Sequence, residues 1–263
     1  MEKKKLDKQT SDKVSFISLK HHQKIKTTTP KLSKIAIIAM MTTFILLCSI
    51  NAQQGQEPIS ENELPAIEMI FVEGNNAINS FYIGKYEVTQ GLWRAVMGYR
   101  RPAPFSFQYN HPSLFRRGAL NHPVENVSWW EVQDFIRRLN TLTGRNFRLP
   151  TEAEWEFAAR GGNKSRGYKF SGSNNINDVA WYILNSNRRT QPVGTLQPNE
   201  LGIHDMTGNV WEWTQCRERS NRVVRGGSLV DTAERSKISF RHWQAPEYTF
   251  YNIGFRLAHS HKE

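Results

Sequence analysis

Cysteine is nearly absent from this chain of 263 residues: only Cys48 and Cys216 occur, too few for a disulfide scaffold. The fold must therefore stand on buried apolar surface. No apolar run reaches the ~20 residues of a bilayer-spanning helix, the longest charge-free one being the sixteen residues 35–50. Also missing are a nucleophile elbow, a Gly-rich phosphate loop, an internal repeat, and any carboxylate pair whose spacing alone nominates acid–base chemistry. His111, His122, His204 and His242 are scattered without the close spacing of a metal-binding pair.

Basicity is plentiful but local. The net charge is +11, yet residues 1–34 hold ten Lys against Glu2, Asp7 and Asp12, a net of +7, which leaves +4 for the rest. No motif in that remainder resembles a nucleic-acid reader, so nucleic acid is not an expected partner.

The apolar fraction of 38%, with eight Trp and fourteen Phe, predicts a packed globule. A domain of about 200 residues buries roughly 70% of its unfolded surface and can stand without disulfides. Three regions are expected: a basic leader with a hydrophobic signal segment over 1–52, a linker over 53–65 and a domain over 66–260. The segment 35–50 fits a signal-peptide apolar region, with Ala52 ahead of Gln53-Gln54 as the cleavage point. The chain is thus expected to be exported to the periplasm or cell envelope. Left uncleaved, residues 35–50 would be an anchor and the one point of membrane contact. Leu47, where lipidation wants a small residue, argues against a lipid on Cys48. Cleavage would leave Cys216 as the mature chain's sole thiol.

Within the domain, 68–72 and 81–86 read as strands with 74–80 turning between them. Thr89 is placed to cap a helix over 90–97. Ser128 with Glu131, and Thr151 with Glu154, each form a Ser/Thr-x-x-Glu capping box. The first of these opens a helix to about Thr143, stopped by Gly144, that buries Val132, Phe135, Ile136 and Leu139. The second opens a helix to about Arg160, stopped by Gly161-Gly162. Between the first two helices lies a long loop, 99–123, and beyond Gly161 only short strands such as 222–225 and 254–258 are expected among turns.

Read in order, Tyr82-Ile83-Gly84-Lys85-Tyr86-Glu87-Val88-Thr89, His122-Pro123-Val124-Glu125-Asn126-Val127-Ser128-Trp129 and Arg148-Leu149-Pro150-Thr151-Glu152-Ala153-Glu154-Trp155-Glu156 resemble successive signatures of the formylglycine-generating (sulfatase-modifying factor) family. Pro198-Asn199-Glu200-Leu201-Gly202, Met206-Thr207-Gly208-Asn209-Val210-Trp211-Glu212-Trp213, Arg225-Gly226-Gly227-Ser228 and Gly254-Phe255-Arg256-Leu257-Ala258 continue the series. The resemblance runs from about Met69 to Ala258. It implies an α+β fold related to C-type lectins, with little regular secondary structure, two to three helices, short antiparallel strands and long ordered loops. Arg148, Arg225 and Arg256 are expected to clamp carboxylates or carbonyls within those loops.

Members that make formylglycine use two cysteines, shortly after the Gly-Gly-Ser segment, to bind copper and activate oxygen. The corresponding stretch here, 229–241, has none: family spacing puts Asp231 at the first thiol and Arg235, Ser236 or Lys237 near the second. Soft thiolates select Cu(I), so oxygen ligands are no substitute and copper is not expected. The resemblance also implies a calcium site, carried over onto the side chains of Asp205 and Glu212 and the carbonyls of Gly208 and Val210.

The sequence thus predicts a family domain without formylglycine-generating activity that acts as a cell-envelope binding or assembly module for a protein or glycan. The alternative is a metal-dependent oxidoreductase acting on an unknown substrate. Arg101, Phe107, Tyr109 and Arg116, in the 99–123 loop, are the expected binding residues, because aromatics and Arg dominate binding hot spots.

Overall fold

The computed structural model describes residues 64–98 and 120–261. The leader, nearly all of the linker, and Arg101, Phe107, Tyr109 and Arg116 lie outside the described residues. Among these residues, seven short strands and three helices follow in the order β1 (Met69–Val72), β2 (Phe81–Gly84), α1 (Gln90–Met97), α2 (Trp129–Thr143), α3 (Glu152–Ala159), β3 (Trp211–Glu218), β4 (Asn221–Arg225), β5 (His242–Gln244), β6 (Ile253–Gly254) and β7 (Ala258–Ser260).

The helix starts form as the capping signals require. Thr89 accepts from the Leu92 amide, and both capping boxes close reciprocally: Ser128 N–H donates to Glu131 at 2.6 Å, and Thr151 N–H donates to Glu154 at 2.8 Å. Each satisfies backbone donors that a helix leaves orphaned, worth about 1 kcal/mol. Gly144 ends α2 in the left-handed conformation.

Two small sheets organise the rest. One runs β1-β2-β7, all antiparallel; the other runs β5-β4-β3-β6, with β3–β6 parallel. The segment expected as one strand over 254–258 divides between β6 and β7, one in each sheet, because Phe255, Arg256 and Leu257 turn inward between them. The longest strand is β3, whose pairing with β4 shifts register between Trp213 and Arg217.

One apolar cluster joins α1 and α2 to this crossing segment: the Trp93 and Phe135 rings stack at 5.1 Å, and Phe255 meets Phe135 edge-on at 5.3 Å. A second packs Val72, Phe81 and Ile83 of the first sheet against Trp155 of α3 and Met206. Burying a residue of the size of Trp155 is worth about 3–5 kcal/mol. The loop 161–210 contains only two single-turn 3₁₀ segments. Its backbone bonds to distant chain instead, as when Asn209 N–H donates to the Trp181 carbonyl at 2.8 Å. Among the described residues, no helix is long and apolar enough to cross a membrane.

Candidate functional site

The segment 205–212 folds into the centre of the domain. Gly208 has φ of +80°, and a Cβ there would lie 2.4 Å from the Trp181 carbonyl oxygen, so only glycine lets the loop pass. Asp205 and Asn209 also adopt left-handed φ, 58° and 56°. This winding carries two carboxylates, Asp205 and Glu212, into a region from which water is excluded.

Glu212 is fully buried and meets Arg256, also fully buried, in a two-point ion pair: Arg256 Nη2 to Oε1 at 2.6 Å and Nε to Oε2 at 2.7 Å. Trp155 Nε1 donates to Oε2 at 2.6 Å. Arg256 donates further to the Gly84 and His204 carbonyls, tying β2 and the loop to one guanidinium. Asp205 accepts from the Gly194 amide at 2.7 Å, and Glu87 accepts from Asn209 Nδ2 and the Val210 amide.

Three buried carboxylates thus surround one guanidinium. Burial first, then the charges of Asp205 and Glu212, pushes Glu87 well above the usual carboxylate range. Burial likewise raises Asp205 against the opposing Gly194 amide. For Arg256 burial disfavours the charge, but Glu212 and its neighbours outweigh it and hold the guanidinium more firmly protonated.

The other arginines expected to act as clamps do so. Arg148 meets Glu154 with two 2.7 Å bonds, adding an ion pair to the capping carboxylate of α3. Arg225 reaches Glu152 at 2.7 Å, Glu156 at 2.8 Å and the Ile238 carbonyl at 2.6 Å, while its guanidinium lies 5.2 Å from the Trp155 ring. Trp155 therefore touches both buried arginine centres.

At the stretch where the family's thiols belong, Asp231 and Ser236 are both buried. Asn252 Nδ2 donates to Ser228 Oγ at 2.9 Å, and Ser228 Oγ donates to the Asp231 carboxylate. Arg235 pairs with Asp231 at 3.1 Å and lies 5.6 Å from the Phe240 ring and 6.0 Å from that of Trp211. Burial, then the Arg235 charge, lowers the pKa of His242, whose ring is 5.8 Å from Trp211. Ser236 Oγ donates to the Thr232 carbonyl, and a Cβ on Gly227 would fall 2.5 Å from that hydroxyl. A hard, fully hydrogen-bonded oxygen set fills the place. Cys216 stands apart, its Sγ accepting from the Glu152 amide at 3.3 Å.

The four residues expected to bind calcium lie along the 205–212 segment, where both Glu212 oxygens accept from Arg256 and Trp155. Among the described residues, no group of three or more His, Cys, Asp or Glu side chains is arranged to hold a metal ion. His122 Nδ1 lies 3.1 Å from Thr190 Oγ1, and His204 Nδ1 meets the Leu196 carbonyl at 2.9 Å. Glu87, Asn209 and Trp155 also belong to the centre, though spacing alone does not nominate them. Their one signal in the sequence is their presence inside three of the signature segments, which side-chain bonds link here.

A family model for the sulfatase-modifying factor enzyme 1-like domain matches residues 40–261. The chain is 34% identical over 227 residues to the chaperone protein LppX of Paenibacillus barcinonensis, covering 65% of this chain and 76% of that one. It is 35% identical over 161 residues to the inactive C-alpha-formylglycine-generating enzyme 2 of Bos taurus, covering 54% of this chain and 52% of that protein, about half its length. The solved structure of CarF superposes with a TM-score of 0.63 at 26% identity, covering 75% of this chain and 99% of that one. The chain belongs to the sulfatase-modifying factor enzyme 1-like family.

Proposed function

We propose that the chain is an exported, non-catalytic member of its family that works by binding, as a cell-envelope assembly or recognition module for a protein or glycan. The observation that carries this reading is the filling of the thiol positions. Asp231 is held by Ser228 and Arg235, Ser236 is closed against Thr232, and Cys216 lies outside the stretch. Two relatives bearing the names chaperone and inactive enzyme support it.

The test is an aldehyde assay with copper on a Cys-x-Pro-x-Arg peptide. Wild type is expected to form none, and aldehyde above the heat-denatured control would remove the reading. A second arm, the double variant Asp231→Cys with Ser236→Cys, should gain copper uptake while wild type shows none.

Calcium remains part of the proposal as a structural ion. Its support is the placing of two buried acidic side chains, Asp205 and Glu212, on one winding segment with the backbone of Gly208 and Val210 between them. At free calcium a thousandfold above its dissociation constant, binding to the folded state alone adds about 4 kcal/mol. Melting should therefore fall on chelation, and Glu212→Gln should abolish that fall; identical melting with and without calcium would remove the ion from the account.

A further inference from the structure

Half of the described arginines meet a carboxylate, among them Arg148, Arg160, Arg225, Arg235, Arg241 and Arg256. Three that do not, among the described residues, share one place at the end of the β3–β4 hairpin. Arg217 and Arg222 stand directly opposite each other in the strand register, and Arg219 occupies the two-residue turn between the strands. The acidic residue beside them, Glu218, gives its carboxylate to Arg241 at 2.8 Å.

Each of these arginines is a costly local choice. Directly opposed residues of an antiparallel pair share a face with Cβ atoms about 5 Å apart, and like charges there destabilise the pair. Arg222 cannot swing away: its guanidinium is 3.7 Å from the centre of the Trp129 ring and donates to the Gln215 carbonyl at 2.9 Å. Burial, then the charge of Arg217, lowers its pKa. Arg219 has φ of +57°, a left-handed turn position where glycine would relieve strain. Local stability would favour a hydroxyl residue at 217 and glycine at 219. Choices that break a local rule concentrate where function demands them.

The surroundings indicate what the charge is for. Trp130 is 56% exposed and packs edge-on against Trp129 beneath Arg222. Arginine with exposed tryptophan is the composition of protein–protein hot spots. Guanidinium in place of ammonium suits planar two-point recognition of carboxylates rather than a diffuse attraction to a charged surface.

We propose that this hairpin end docks an acidic segment of a partner protein, whose carboxylates are taken by Arg217, Arg219 and Arg222 beside the exposed Trp130. The site names a partner class for the binding role above and rests on it. Its test reads binding alone, so its failure is distinguishable from detection of an oxidase.

Full-length wild type is compared with full-length Arg217→Ser/Arg219→Gly for binding to poly-L-glutamate, with phosphatidylglycerol vesicles and inorganic phosphate as parallel arms. The lysine-rich leader is common to both proteins and cancels. The double variant should bind polyglutamate roughly tenfold more weakly, as loss of about 1.4 kcal/mol gives, while its melting temperature holds or rises. A merely structural role would lower melting and leave the affinity of the folded fraction unchanged. Equal polyglutamate affinity in the two proteins overturns the proposal. So does a difference confined to the vesicles, which reassigns the patch to a membrane, or full competition by phosphate at matched ionic strength, which makes it a small-anion site.

Discussion

At its first residues β3 presents Glu212 to Arg256 inside the protein; at its last it sets Arg217 across from Arg222 on the surface. In the interior every N–H of the Arg256 group that points at an acceptor finds one: the two Glu212 oxygens and the Gly84 and His204 carbonyls. One guanidinium there joins three stretches of chain that no sheet or helix connects. At the hairpin end the same residue type faces its own kind, and among the described residues no carboxylate pairs with it. Paired and buried, it substitutes for secondary structure; unpaired and opposed, it is kept for something outside the chain.

The comparison is broken most severely from the interior. Arg256→Met leaves the Glu212 carboxylate buried without its partner, a change that costs about 3–5 kcal/mol. Urea denaturation should show the loss, and a change below about 1 kcal/mol would mean that the centre is not what holds the loops. Trp155→Phe removes the 2.6 Å bond to Glu212 and leaves a small cavity where the indole was packed. A buried acceptor left with one donor fewer costs about 1–3 kcal/mol, again read from the denaturation midpoint. Ser128→Ala opens one capping box and should cost about 1 kcal/mol.

Acid probes the helix α3 clamp. Burial would raise Glu154, but Arg148 and the Thr151 amide outweigh it and hold its carboxyl below the usual range. A depressed folded pKa contributes stability that is present above the unfolded value of about 4.3 and is lost as pH falls through the folded one. Glu154→Gln should flatten the acid limb of the stability profile and leave its pH dependence above neutral unchanged. The smallest effect belongs to the surface. Arg217→Thr removes a like-charge opposition and should raise stability by a few tenths of a kcal/mol, readable as a small upward shift in melting. A fall would mean that Arg217 has a partner in the fold.

Most of the regular structure could be read in advance, because its signals are local. Thr89, Ser128–Glu131, Thr151–Glu154 and Gly144 fix helix ends through bonds made within four residues. The clamping role of Arg148, Arg225 and Arg256 was legible from the need of irregular chain for strong side-chain bonds. What stayed hidden was non-local. Glu87 and Asn209 are 122 residues apart yet bond at 2.7 Å, and nothing in either neighbourhood announces it. The edges of β3 were obscured for a related reason: Glu212 is an acid inside a strand, which alternation rules assign to the surface until Arg256 is known to cover it. The hairpin arginines were legible as residues but not as a site, since their opposition exists only in the register.

The central claim concerns sulfur. Cuprous ion titrated into the purified full-length protein, against a competing chelator, should show no tight one-to-one uptake, because Asp231 and Ser236 offer only oxygen where soft ligands are required. Tight stoichiometric binding accompanied by oxygen consumption would contradict the account.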